Sequence, residues 1–204
     1  MFKVGSQLFT TEGPKAIEKL AGYGYEIFLD LKFHDIPNTV AHAVAAGAKL
    51  PGVRLMTIHA SGGTEMMRAA RDAAGTKASR PKLLGVTVLT SLDAATLRSV
   101  GVAVAPVRQA VALAKLAKKS GLDGVVASAH EIREIRKACG PGFLIVVPGI
   151  RPASAGADDQ SRVATPGDAI RAGADFLVVG RPITAAAKPR ETALKIAEEI
   201  AAAS

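Results

Sequence analysis

The feature that most limits what this chain can fold into is a repeat of short aliphatic runs separated by helix-like stretches. The runs begin near Phe2, Ile27, Arg54, Lys82, Gly124, Phe143 and Phe176. Helical patterns lie between them, at about 14–21, 37–48, 64–74, 94–100, 107–120, 129–138 and 166–172, and a final amphipathic helix covers 189–203. Strand and helix alternating with a period of about 30 residues are βα units, and the short connections make the sheet parallel. An open doubly wound sheet and a (β/α)8 barrel both satisfy that pattern. No Gly-x-Gly-x-x-Gly follows the first run, so the nucleotide-binding open sheet loses its main support. The barrel gains from the residues gathered where runs end: Lys3, Asp30, Lys32, His59, Thr90, Ser128, Arg151, Gly180 and Arg181. Barrel enzymes build their sites on that rim. Seven runs are evident where a barrel needs eight, so the sequence predicts a single α/β barrel domain over 1–204 whose first βα unit lies upstream of Met1.

Hydrophobic residues make up 49% of the chain and aromatics 4%, so the core is aliphatic, as helices packed on a parallel sheet require. The single Cys139 cannot form an internal disulfide. No apolar run approaches the ~20 residues that cross a bilayer, so no membrane association is expected and the predicted location is cytoplasmic. The net charge of +8 comes from dispersed Lys and Arg without interleaved aromatics, which speaks against a nucleic-acid polymer as partner.

Residues 26–39 carry the densest chemistry. Asp30 and Lys32 interrupt the apolar run Ile27, Phe28, Leu29, Leu31 at a spacing of two, which places both on one strand face. Asp35 follows three residues later, and Pro37 stops the strand and suits a first helical turn. A half-exposed edge strand would explain Asp30 and Lys32 without chemistry, and helix capping would explain Asp35. Parallel strands are usually covered on both faces, which favours a functional reading.

An ammonium flanked by carboxylates is a proton donor rather than a nucleophile. With Lys3 on the neighbouring run, the array Lys3, Asp30, Lys32 and Asp35 suits a reaction that creates negative charge on carbon and then needs a proton, such as decarboxylation. Asp30 and Asp35 could engage Mg²⁺, but Lys32 already supplies positive charge and no His or Glu completes an oxygen shell, so no metal is expected. At the other end of the chain, Gly180 lets a ligand approach the backbone and Arg181 can fork onto phosphate oxygens. Arg151 and the polar loop with Gln160 join them in a predicted phosphate site. Thr90 and Ser91 either bond a heterocycle or cap the next helix, with Asp93 as a rival cap. His34, His42, His59 and His130 lack partners at ligand spacing and are assigned structural roles.

These segments resemble one family. Asp30-Leu-Lys-Phe-His-Asp-Ile-Pro-Asn-Thr39 is similar to the signature of bacterial orotidine 5′-phosphate decarboxylases. Phe2-Lys-Val-Gly5, His59-Ala-Ser-Gly-Gly63, Val86-Thr-Val-Leu-Thr-Ser91, Pro148-Gly-Ile-Arg151 and Val179-Gly-Arg-Pro182 match it in order and spacing. The resemblance implies a (β/α)8 barrel that converts orotidine 5′-monophosphate to uridine 5′-monophosphate and CO2 without metal or organic cofactor. It implies Lys32 as the proton donor within the array Lys3, Asp30, Lys32 and Asp35. It also implies a homodimer with shared active sites, in which Asp35 reaches the neighbouring site and Thr39 lies at the shared edge. Thr90 and Ser91 would face the pyrimidine, Gln160, Gly180 and Arg181 would hold the phosphate, and Arg151 would also bind substrate. The family's first strand carries an Asp that contacts ribose, and no such strand precedes Lys3 here. Two other readings keep the barrel: a Mg²⁺-dependent sugar-phosphate decarboxylase or aldolase of the same superfamily, and a non-catalytic phosphate-binding fragment.

Overall fold

The computed structural model describes residues 1–152 and 164–203. Strands β1 (Phe2–Gly5), β2 (Ile27–Phe33), β3 (Val53–His59), β4 (Lys82–Val86), β5 (Gly124–Val126), β6 (Leu144–Val147) and β7 (Phe176–Leu177) are neighbours in the sheet in chain order. The pairs β1·β2, β2·β3, β3·β4 and β6·β7 are parallel. Helices fill the connections: α1 (Ser6–Glu12), α2 (Pro14–Gly22), α3 (Pro37–Ala48), α4 (Gly63–Ala73), α5 (Ala94–Ser99), α6 (Pro106–Lys119), α7 (Ile132–Cys139), α8 (Pro166–Arg171), α9 (Arg181–Thr184) and α10 (Pro189–Ala201). Parallel strands in sequential order with a helix after each are the βα repeat expected from the sequence.

By internal contacts the chain falls into two compact units, Met1–Val86 with Leu113–Val125, and Thr87–Ala112 with Val126 onward. In the first, Ile27, Leu29, Met56, Ile58, Leu83 and Leu84 of the strands are buried with Val40 and Val44 of α3 and Met66, Met67 and Ala70 of α4. Helix α3 comes so close to the sheet that a side chain on Gly47 would run into Met56 and Leu29. Pro37 at its first turn loses no hydrogen bond, because the opening N–H groups of a helix have no intrahelical acceptor.

In the second unit Val88, Leu97 and Ala110 form one buried cluster with Leu92 and Val102 against it. Ile132, Ile135 and Cys139 of α7, Ile145, Val146 and Val147 of β6, and Ile196 of α10 are buried as well. Ser128 opens the helical segment after β5 with a reciprocal cap: its side chain accepts from His130 N–H, and Glu131 accepts the Ser128 N–H at 2.8 Å. Ser128 is therefore spent on a helix start.

Each unit carries a similar clamp where a strand begins. In the first, Asp123 accepts both Arg80 guanidinium N–H groups, at 2.7 and 3.0 Å, and the Leu83 N–H at 2.8 Å. In the second, Asp175 accepts Arg136 at 2.6 Å and the Ile145 N–H at 2.7 Å. A short Gly-x-Asp step, Gly121 to Asp123 and Gly173 to Asp175, leads into both. Among the described residues no helix is long and apolar enough to cross a membrane.

Candidate active site

Strand β2 pairs on both sides, with β1 and with β3, so Asp30 and Lys32 do not lie on an edge. Asp30 is buried, 7% exposed, in spite of its charge. The plain alternation expected from the sequence fails here. Leu29 pairs with Met56 and Phe33 with Ile58, so the three residues 30–32 face Thr57 alone. The excess chain bulges, and Lys32 takes φ +52°, unlike every other non-glycine among the described residues. An L-residue in that region costs about 1–2 kcal/mol, so the surroundings must hold it there.

Three hydrogen bonds hold it. The Lys32 N–H donates to Thr57 Oγ1 at 2.9 Å, the Thr57 hydroxyl donates to Asp30 Oδ1 at 3.0 Å, and the Lys32 ammonium donates to Asp30 Oδ2 at 2.8 Å. Lys3 of β1 brings a second ammonium to the same oxygen at 3.2 Å. Burial pushes the Asp30 carboxyl up, but the hydrogen bond and charge of Lys32, the charge of Lys3 and the Thr57 hydroxyl outweigh it, leaving Asp30 below the ordinary value. Asp30 is thus an anion set between two cations, each about one third exposed.

His59, at the end of β3, stacks at a tilt on His34 with ring centroids 5.1 Å apart. Burial, then the neighbouring His34 and Lys32, hold its imidazole below the usual histidine range, against the pull of Asp30. The ring beside the array is therefore neutral at pH 7. His42 and His130 are exposed.

Asp35 accepts the Ile36 N–H at 2.6 Å, and α3 starts without a side-chain cap. The segment His34 to Thr39 is exposed throughout, Ile36 to 66%. Asp35 and Thr39 thus face outward.

In the second unit, Thr90 is half-buried and Ser91 exposed in the loop after β4. Helix α5 is capped by Asp93, which accepts Thr96 N–H at 2.7 Å, so neither Thr90 nor Ser91 is needed as the cap. Arg151 is half-buried after β6, its N–H bonded to Ala164 O at 3.1 Å. Gly180 precedes α9 and is exposed, with open space where a side chain would sit. Arg181 begins α9 and is exposed. Gln160 lies outside the described residues.

Thr57 was not legible as a site residue. Its signal was a polar residue in the apolar run Leu55-Met56-Thr57-Ile58, which reads equally as an ordinary strand threonine. Among the described residues no group of three or more His, Cys, Asp or Glu is placed to hold a metal ion.

The chain matches the family model described as orotidine 5′-phosphate decarboxylase / HUMPS family over residues 1–196. It is 55% identical over 205 residues to the orotidine 5′-phosphate decarboxylase of Trichlorobacter lovleyi, covering 99% of this chain and 85% of that protein. The same enzyme of Geobacter sp. is 53% identical over 206 residues, with the same shares covered. Among solved structures, orotidine 5′-phosphate decarboxylase from Lactobacillus acidophilus superposes with a TM-score of 0.85 at 44% identity, over 97% of this chain and 85% of that one. The enzyme from Pyrococcus horikoshii OT3 retains a TM-score of 0.77 at 27% identity, over 98% and 86%. The chain belongs to the orotidine 5′-phosphate decarboxylase / HUMPS family. It has the α/β barrel-class fold of that family and is an enzyme.

Proposed function

We propose that this chain converts orotidine 5′-monophosphate to uridine 5′-monophosphate and CO2, the last step of UMP synthesis, in the cytoplasm and as a single barrel domain. The observation that carries this is the Asp30 carboxylate with the Lys32 ammonium at 2.8 Å and the Lys3 ammonium at 3.2 Å. The bond from C6 of the pyrimidine to its carboxyl carbon breaks, CO2 leaves, and the electron pair stays on C6. The Lys32 ammonium stabilises that pair and then gives it a proton, and the resulting amine regains one from solvent. Asp30, with Lys3 on the same carboxylate oxygen, holds the Lys32 ammonium in place before any substrate arrives, so little reorganisation is left for the reaction itself.

Thr90 and Ser91 would bond the pyrimidine edge. Arg181, Arg151 and Gln160 would take the phosphate, and Gly180 would admit it close to the backbone. Contacts remote from C6 can contribute to the rate by fixing the ring against Lys32.

We further propose a homodimer with shared sites. The exposed run His34 to Thr39, directly after the catalytic strand, carries Ile36 at 66% exposure beside Asp35 and Thr39. A partner surface there would cover Ile36 and receive Asp35. Release of labelled CO2 from carboxyl-labelled orotidine 5′-monophosphate tests the reaction, with chelator present throughout. Turnover unaffected by the chelator is expected; loss on chelation would favour the Mg²⁺-dependent reading, and no release at all would overturn the proposal.

A further inference from the structure

Lys32 is attached to Asp30 twice. Its ammonium bonds Oδ2 directly, and its backbone N–H reaches Oδ1 through the Thr57 hydroxyl. These three bonds form a closed ring through one buried carboxylate. A hydroxyl has one proton to give and two lone pairs to receive with. An ionised carboxylate only accepts and an amide N–H only donates, so the Thr57 proton has a single direction, toward Asp30. Thr57 is fully buried, so water cannot take its place.

The bulge makes the hydroxyl necessary. Residues 30–32 have Thr57 alone opposite them, and the Lys32 N–H finds the Thr57 side chain where a regular ladder would offer a carbonyl. Without Oγ1 that N–H would lose its partner, and a donor left unpaired away from water is disfavoured. Relaxation of Lys32 to negative φ would remove the strain and swing the side chain off its present course.

We propose that Thr57 is a positioning residue for the reaction: its hydroxyl locks Lys32 in the left-handed conformation that aims the ammonium. This inference rests on the decarboxylation proposed above. Thr57 touches no reacting atom in it, and acts through Lys32 and Asp30.

The test compares Thr57→Val, which keeps the side-chain shape and deletes the hydroxyl, with Thr57→Ser, which keeps the hydroxyl. Displacement of a catalytic group by about 1 Å costs on the order of 10²-fold. Thr57→Val should therefore lower kcat by about 10²-fold with KM within roughly two-fold, and Thr57→Ser should recover most of it. Thr57→Ala is measured alongside and is read in the same way if the valine variant does not fold. Crystal structures of the variants give a readout independent of turnover: Lys32 should leave positive φ in Thr57→Val or Thr57→Ala and keep it in Thr57→Ser. Wild-type kcat without the hydroxyl, a serine variant as slow as valine, or Lys32 unmoved in the valine and alanine structures would each overturn the proposal. An unmutated chain that releases no CO2 would sink the decarboxylation reading instead, and the Lys32 conformations in the variant structures would still decide this one.

Discussion

Gly5 stands opposite Asp30 in the β1–β2 ladder, and a methyl group on it would lie 3.0 Å from the Lys3 ammonium. The backbone there, φ −95° and ψ 179°, suits any residue. What glycine supplies is room for Lys3 to fold back over its own strand toward Asp30. Gly5→Ala should leave stability unchanged or raise it by up to about 1 kcal/mol, through the stiffer unfolded chain. Turnover should fall roughly 10-fold because Lys3 is pushed off its place. Denaturant unfolding and kcat measured on the same preparation check this; full activity in the alanine variant would contradict it.

Lys32→Ala should separate chemistry from binding. Loss of the proton donor is expected to cost about 10³-fold or more in kcat, within the range seen for general acids. Affinity for uridine 5′-monophosphate should remain close to that of the unmutated chain. Arg181→Ala should show the reverse, weakening that binding by about 1.5–3 kcal/mol, the worth of charged hydrogen bonds, with a smaller effect on kcat. Calorimetric titration with uridine 5′-monophosphate beside single-turnover kinetics distinguishes the two. Equal and modest losses from both substitutions would contradict the roles assigned here.

The charges at 30 and 32 were legible because two ionisable side chains inside an aliphatic run violate what a buried strand otherwise requires. The bulge was not legible. It depends on Thr57, a residue of β3 that lies 27 positions from Asp30, and no local pattern carries that information. Helices α2 and α3 were readable from Pro14 and Pro37 at their starts. Helix α1 leaves no signal in the sequence, because Gly5 and Gly13 bracket it and none of its residues is buried, so there is no apolar stripe to detect. Helix α9 has four residues, too few to set up a period. Thr90 is expected at the end of a run, but strand β4 ends at Val86, so Thr90 and Ser91 sit on a loop and not at a strand end.

If Asp35 serves the neighbouring subunit's site, two inactive variants should restore each other. Mixing Lys32→Ala with Asp35→Ala subunits gives hybrid dimers in which one site has both residues. Random exchange leaves about one site in four intact, so activity should return toward roughly a quarter of the unmutated level. Activity after co-refolding, against each variant refolded alone, is the measurement. No recovery from a mixture proven to exchange would mean that each subunit is self-contained.

Asp123 ties part of the acid sensitivity of the fold to one clamp. Burial raises its carboxyl, but the hydrogen bonds from Arg80 and Leu83 and the charges of Arg80 and Lys82 outweigh that and hold it below the ordinary value. A carboxyl lowered on folding binds fewer protons in the folded chain than in the unfolded one between the two values. Its stabilisation is therefore complete above the ordinary carboxylate range and is lost as pH falls through the folded value. Asp123→Asn leaves the little-exposed Arg80 without its counter-charge, which should cost about 3 kcal/mol at pH 7. The asparagine cannot titrate, so the gap between variant and unmutated chain should narrow on acidification. Asp30, lowered in the same direction, keeps part of the acid loss in both proteins. Urea unfolding at a series of pH values from 7 to 3 tests this, and a gap that stays constant across the series would show that Asp123 does not carry the titration.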